Sequence, residues 1–235
     1  MGGMMVFSRS ITTLKRLRNA GKKGDVAGAV ALFEALQADG QTPPTKAWEA
    51  MMAAHLANFD LDKAKEYADG LLAAFPANEL SGKSLEPLMK SMGEAGRLGE
   101  MQALVDRLQQ ANISPLPISP LVQAHVKSAN VDAAAEVLDG LVASAGEVNQ
   151  AWIRTVLDGY FGVGSGDGVR RMAQMVEAVG GEPEPAMQSL LQRHAKSANP
   201  AMRDQAKQLL DKWFPGTAVE DGPVGGGGSN GMPGM

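Results

Sequence analysis

An all-α, right-handed solenoid of about six helix-turn-helix repeats is the fold this sequence predicts, on three observations. The first is the residue palette. Of 235 residues, 44% are hydrophobic but only 5% aromatic, and Ala, Leu, Met and Val form helices better than sheets. The second is self-similarity. HVKSANV at 125–131 returns 69 residues later as HAKSANP at 194–200, and His55 lies 70 residues before His125, so the unit is about 35 residues. The third is periodicity inside a unit: Leu85, Leu88, Met89 and Met92 follow the i, i+3, i+4, i+7 spacing of one helical face. One helix pair cannot bury such a face alone, whereas stacked pairs share a continuous core.

The elements follow in order. Turns open second helices near Gly24-Asp25-Val26, Phe59-Asp60-Leu61, Gly96-Arg97-Leu98, Asn130-Val131-Asp132 and Gly166-Asp167-Gly168, all spaced by about 35 residues. In the third unit Glu94-Ala95-Gly96 ends the first helix, since Gly takes the left-handed conformation cheaply. A second helix follows through Met101, Leu104, Val105 and Leu108, and Ile113-Ser114-Pro115 closes the unit. Pro43, Pro115 and Pro183 are each expected to end a second helix, because proline has no N–H and a fixed φ. The predicted repeats are 10–44, 45–81, 82–114, 115–149, 150–184 and 185–214. Residues 1–9 form a basic segment, readable as a targeting sequence reaching to about residue 24 or as the start of the first helix. From Pro215 the chain turns Gly-rich and is expected to be a flexible tail, 215–235.

Composition narrows the function classes. With no Cys, disulfides, thiolate zinc sites and cysteine nucleophiles are excluded. No apolar run reaches the roughly 18 residues of a membrane span, so no membrane insertion is expected. Residues 1–24 carry Arg9, Lys15, Arg16, Arg18, Lys22 and Lys23 and no acid, so against a net charge of −4 the rest of the chain carries −10. Such a body repels a polyanion unless its positive charges gather on one surface.

Chemistry-bearing residues are sparse. His55, His125 and His194 fall at equivalent positions near the ends of first helices. Positions two repeats apart are about 20 Å from each other at the usual spacing of packed helices, so these histidines cannot share one metal ion and are read as packing residues. GVGSGDG at 162–168 lacks the G-x-G-x-x-G order and a preceding strand, so it reads as an interhelical turn. No carboxylate pair or Ser/His/Asp set stands out. A non-enzyme is expected, without cofactor, metal or small-molecule substrate.

The stretch KSLEPLMKSMGEAGRLGEMQALVDRLQQANISP at 83–115 resembles a pentatricopeptide (PPR) repeat, including AGRL at its turn and the terminal Pro. ADGQTPPT at 38–45 is similar to the family's G-[IV]-x-P-[DN] ending. The array departs from the pattern where repeat two lengthens around Pro76 and where repeat six has extra residues at Pro200-Ala201-Met202. Tetratricopeptide repeats need a small residue at the eighth position, where Met52, Met89, Val122 and Leu157 stand.

The PPR resemblance implies single-stranded RNA as partner, with base contacts from the fifth and last residue of each repeat. The fifth residues are Leu14, Glu49, Glu86, Ser119, Arg154 and Gln188; the last are Pro44, Ser81, Ser114, Asn149 and Glu184. Ser119 with Asn149 resembles an adenine-favouring pair. Lys22, Lys127 and Lys196 match the family's phosphate-facing lysine. The implied RNA-binding set is therefore Ser119, Asn149, Arg154, Gln188, Lys22, Lys127 and Lys196. Because Glu49, Glu86 and Glu94 face the groove in repeats two and three, RNA is expected on repeats four to six, with basic residues 9–23 as a separate anchor. The implied role is RNA processing, stability or translation in a mitochondrion or plastid, with the cytoplasm as the other location. The acidic body and degenerate code keep a second reading open: a scaffold whose groove holds a protein partner in a larger assembly.

Overall fold

The computed structural model describes residues 3–38, 42–144 and 148–217. Among these it contains twelve α-helices and no strand. They follow one another as hairpins: α1 (Gly3–Lys23) with α2 (Val26–Gln37), α3 (Thr45–Leu56) with α4 (Leu61–Ala74), α5 (Glu86–Glu94) with α6 (Leu98–Gln110), α7 (Ile118–Lys127) with α8 (Val131–Ala143), α9 (Gln150–Val163) with α10 (Gly166–Val179), and α11 (Pro185–His194) with α12 (Pro200–Trp213). The Gly-rich tail beyond Thr217, residues 1–2 and residues 39–41 of the ADGQTPPT ending lie outside the described residues.

Five of the hairpins turn in the same way. The carbonyls of Ala20, His55, Met92, His125 and Tyr160 accept the N–H of the residue five further on, Asp25, Asp60, Arg97, Asn130 and Ser165, at 2.9–3.0 Å. The residue before each of these donors is left-handed: Gly24, Phe59, Gly96, Ala129 and Gly164, with φ of 69°, 59°, 71°, 56° and 75°. This is the Schellman termination, which satisfies carbonyls that a helix end leaves open. In three of the five the side chain of the donor residue then caps the second helix. Asp25 accepts from the Gly28 N–H at 2.9 Å, Asp60 from Lys63 at 3.2 Å and Ser165 from Gly168 at 3.2 Å. GVGSGDG is thus a helix stop followed directly by a helix start. Gly168 is glycine because a Cβ there would run into the Tyr160 ring. The sixth hairpin is looser: Asn199 caps α12 and Pro200 takes its first turn, which accounts for the extra residues of repeat six. The length of repeat two is two 3-10 turns, Ala77–Glu79 and Gly82–Leu85.

The prolines expected to stop second helices do not do so. α6 ends at Gln110 and the chain reverses through left-handed Asn112, before Pro115; α10 ends at Val179 and reverses through Gly180 and Gly181, before Pro183. Pro43 likewise lies beyond the end of α2. At Asn112 and Gly180 a positive φ breaks the i→i−4 ladder by itself, leaving Pro115 and Pro183 only the connector to stiffen.

The chain divides into two compact units, Met1–Val137 and Leu138–Met235, with the boundary inside α8. In the first, Leu17, Ala20, Ala29, Phe33, Leu36, Ala47, Ala50, Met51 and Ala54 form a buried cluster. Phe33 meets Trp48 and Tyr67 edge-on, with ring centroids at 5.0 and 5.7 Å. The core of this unit continues through Leu85, Leu88, Met89, Met92, Met101, Val105 and Leu108. The second unit is built on Ile153, Val156, Leu157, Tyr160, Met172, Val176, Met187, Leu191, Met202 and Leu210. His55 and His125 are buried, in the same repeat register as buried Met92 and Tyr160. His55 also lies 3.3 Å from Asp60 and His194 lies 2.7 Å from Asp158. These are packing roles. No group of three or more His, Asp or Glu that could hold a metal ion occurs among the described residues.

Candidate nucleic-acid interface

In the first unit the first helices lie side by side, α3 against α5 and α5 against α7. Two grooves run between them. One, of about 440 Å³, is lined by Lys46, Glu49, Ala53, Leu56, Lys83 and Ser84. The next, of about 390 Å³, is lined by Glu86, Lys90, Glu94, Ser119, Gln123 and Lys127. Glu49 is not a free acid: Lys46 Nζ sits 2.7 Å from one of its oxygens, and Ser84 Oγ donates to the other at 2.9 Å across the groove. Glu86 occupies the first turn of α5, where a carboxylate complements the helix dipole. Ser119 Oγ accepts from Gln123 Nε2 at 3.2 Å.

The second helices carry a different charge pattern. Several of their ions are matched across neighbouring hairpins, about one repeat apart, while Lys63–Glu66 and Arg170–Asp167 pair within one helix. Lys65 meets Glu100 at 2.8 Å, while Arg97 meets Asp62 and Arg107 meets Asp69, both at 2.6 Å. In the second unit Arg171 pairs with Asp139, and Lys212 with Glu177 at 2.5 Å. The hydrogen bond from Arg97 holds the Asp62 carboxyl below its ordinary value, and that from Lys212 does the same for Glu177. Such exposed pairs contribute little to stability, but each cancels the charge of the residues that form it. Among the described residues Lys83, Lys90 and Lys127, on the first-helix side, form no ion pair. In the second groove Lys90 and Lys127 stand beside Glu86 and Glu94, which likewise form no ion pair among the described residues.

The structure distributes the sequence-predicted residues unevenly. Ser119 and Lys127 line one groove. Lys22 is exposed in the last turn of α1. Lys196 is exposed just past the end of α11, and Gln188 is half-buried on it. Two others are engaged. Asn149 caps α9, its Oδ1 accepting from the Trp152 N–H at 3.0 Å, and Arg154 Nη1 lies 2.8 Å from Glu184 Oε1, as an ion pair rather than an aimed hydrogen bond. Ser119 and Asn149 belong to different compact units. Sequence reasoning passed over Lys46, Lys83 and Lys90. Lys46 and Lys83 are the second residues of repeats two and three, and Lys90 follows Glu86 by four on α5, so the signal was positional rather than a motif.

No protein-family model matches the sequence, and no curated protein matches it. Solved structures do. The crystal structure of nuclear proteinaceous RNase P 2 (PRORP2) from Arabidopsis thaliana superposes with a TM-score of 0.59 at 14% identity, over 79% of this chain and 41% of that one. A second structure of that protein gives 0.52 at 16% identity, over 92% of this chain and 44% of that one. The pentatricopeptide repeat protein PPR10 from maize gives 0.62 at 17% identity, over 86% of this chain and 29% of that one.

The chain has the PPR-like repeat fold. It is a right-handed all-α solenoid of helix hairpins, and it spans less than half the length of each of these neighbours.

Proposed function

We propose that this PPR-like protein binds single-stranded RNA along its first-helix surface and does no chemistry on it. The observation that carries the reading is the free cationic charge of the first-unit grooves: Lys83, Lys90 and Lys127 line them and form no ion pair among the described residues, whereas Lys65, Arg97 and Arg107 on second helices are matched to acids about one repeat away. Unpaired ammonium groups release the counterions of a phosphate backbone, and the Ser119 hydroxyl, which accepts from Gln123, keeps its proton to donate to a base edge. Ser119, Lys127 and Lys22 contribute from the first unit, and Gln188 and Lys196 from the second. Arg154 and Asn149 contribute little, because Glu184 and the α9 N-terminus occupy them. The fold of PPR10 and PRORP2 supports the reading, in RNA processing, stability or translation in a mitochondrion or plastid. The basic residues 15–23 belong to α1, whose Leu17 and Ala20 lie in the core, and so carry no targeting argument.

The test is a fluorescence-anisotropy titration of a random single-stranded RNA pool at several salt concentrations. Lys90→Ala with Lys127→Ala should flatten the log–log salt dependence by about 1.4, at roughly 0.7 per phosphate contact on a single strand. Absence of RNA binding by the parent at low salt sinks the proposal. In that case the engaged Arg154 and Asn149 favour the second reading, a groove that holds an extended protein segment.

A further inference from the structure

The geometry points to a nucleotide subsite at the α3–α4 turn, in which the ring of Phe59 stacks on one base of a single-stranded RNA and Lys22 and Lys23 hold its phosphates; this rests on the RNA reading above.

Phe59 is out of place by every local rule. At the equivalent turn the first, third and fifth hairpins use Gly24, Gly96 and Gly164, because the backbone there is left-handed. Phe59 adopts the same conformation with φ of 59° and leaves its side chain 95% exposed. A bulky residue with positive φ is strained, and an exposed ring returns nothing to the fold. The other aromatic residues of this region, Phe33, Trp48 and Tyr67, all pack into or against the core cluster. Neither the turn nor the core accounts for a phenylalanine at this point.

Its surroundings carry phosphate chemistry. Asn58 Nδ2 donates to the Gly24 carbonyl at 2.7 Å and to the Ala54 carbonyl at 2.8 Å, docking the α3–α4 turn on the α1–α2 turn. Phe59 and Lys23 are each one residue from an end of that first bond. Lys22 and Lys23 are exposed and form no ion pair among the described residues. Lys15, Arg16 and Arg18 add to the same helix, and residues 1–24 contain no acid. The nearby acids are occupied, Asp25 capping α2 and Asp60 capping α4 beside His55. The groove wall on α3 runs through Lys46, Glu49, Ala53 and Leu56 toward this turn, so a strand lying in the α3–α5 groove leaves it at Phe59. A ring for the base and ammonium groups for the backbone make a sequence-tolerant single-strand site.

The test uses the full chain with a fluorescein-labelled single-stranded oligouridylate and the same strand made abasic. Phe59→Gly keeps the left-handed turn that Gly24 and Gly96 already make, so the fold survives it. It should weaken oligouridylate binding about fivefold or more, the low end of a lost base–aromatic stack, and leave the abasic strand unaffected. Phe59→Trp should retain affinity, and the emission it adds should be quenched by oligouridylate and not by the abasic strand. Lys22→Gln and Lys23→Gln should each flatten the salt slope by about 0.7. Parental affinity in Phe59→Gly, or an equal loss on both strands, overturns the subsite. If Lys90→Ala with Lys127→Ala still weakens binding in that case, the RNA reading stands without it. If the parent binds neither strand at low salt, both fall, and an acidic protein segment becomes the better occupant of this edge.

Discussion

Replacing Gly96 with alanine isolates the energetics of the repeating turn. Gly96 has φ of +71°, and a Cβ built on it meets nothing within 4 Å. Its N–H and that of Arg97 close the α5 terminus on Gly93 and Met92 at 3.1 and 2.9 Å, and none of these bonds needs the missing side chain. Steric collision and lost contacts therefore drop out, and the backbone remains. Holding an L-residue in the left-handed region costs about 1–2 kcal/mol. Removing glycine's freedom from the unfolded chain gives back about 0.4–1 kcal/mol. The expected net loss for Gly96→Ala is about 1 kcal/mol, or about 2–4 °C of Tm for a chain of this size. Phe59→Gly is the mirror image, a gain of about 0.5–1 kcal/mol, because the exposed ring loses no burial while the strain is relieved. Urea unfolding followed by circular dichroism measures both. Hydrogen exchange shows whether the change stays in the adjoining helices, as expected where repeats couple only to their neighbours. A Gly96→Ala protein as stable as the parent, or a destabilised Phe59→Gly, would refute the strained-turn reasoning.

Three further outcomes follow from other sites. Gly82 is buried, and a Cβ there runs into the backbone carbonyl of Pro115; Gly82→Ala should cost about 1–3 kcal/mol in thermal or urea unfolding, since that carbonyl cannot swing aside. Burial holds the His125 imidazole below the ordinary histidine value, against a weaker opposite pull from Glu136. Protonation thus favours the unfolded chain, and the stabilisation is complete above an unfolded pKa of about 6.5 and fades as pH falls through the folded value. His125→Met should remove that loss between neutral and mildly acidic pH in urea titrations. It should cause no loss at neutral pH, because Met92 fills the equivalent place and His125 Nδ1 meets no protein partner. Arg154→Ala should leave the salt slope of RNA binding unchanged and lower stability by no more than about 1 kcal/mol, since its charge is turned to Glu184; a flattened slope would return Arg154 to the interface.

The hairpin architecture was legible because its determinants lie within a few residues of one another. A left-handed residue followed by a capping side chain, as in Gly24-Asp25 and Gly164-Ser165, stops one helix and starts the next through bonds that close inside the turn. The 3.6-residue spacing of Leu85, Leu88, Met89 and Met92 reports the buried face in the same local way. The prolines misled because a break in the ladder can come from φ alone, earlier in the chain than the missing N–H. The candidate site was much less legible. Arg154 and Asn149 fit the RNA-contact positions in register, but whether a side chain is free depends on what the neighbouring hairpin offers it, and Glu184 lies thirty residues away along the chain. The same holds for the Lys65–Glu100 and Arg97–Asp62 pairs, which unite residues one repeat apart and neutralise one another. Composition sums charges without position; only packing brings acids and bases within contact distance and leaves Lys83, Lys90 and Lys127 unmatched in the grooves.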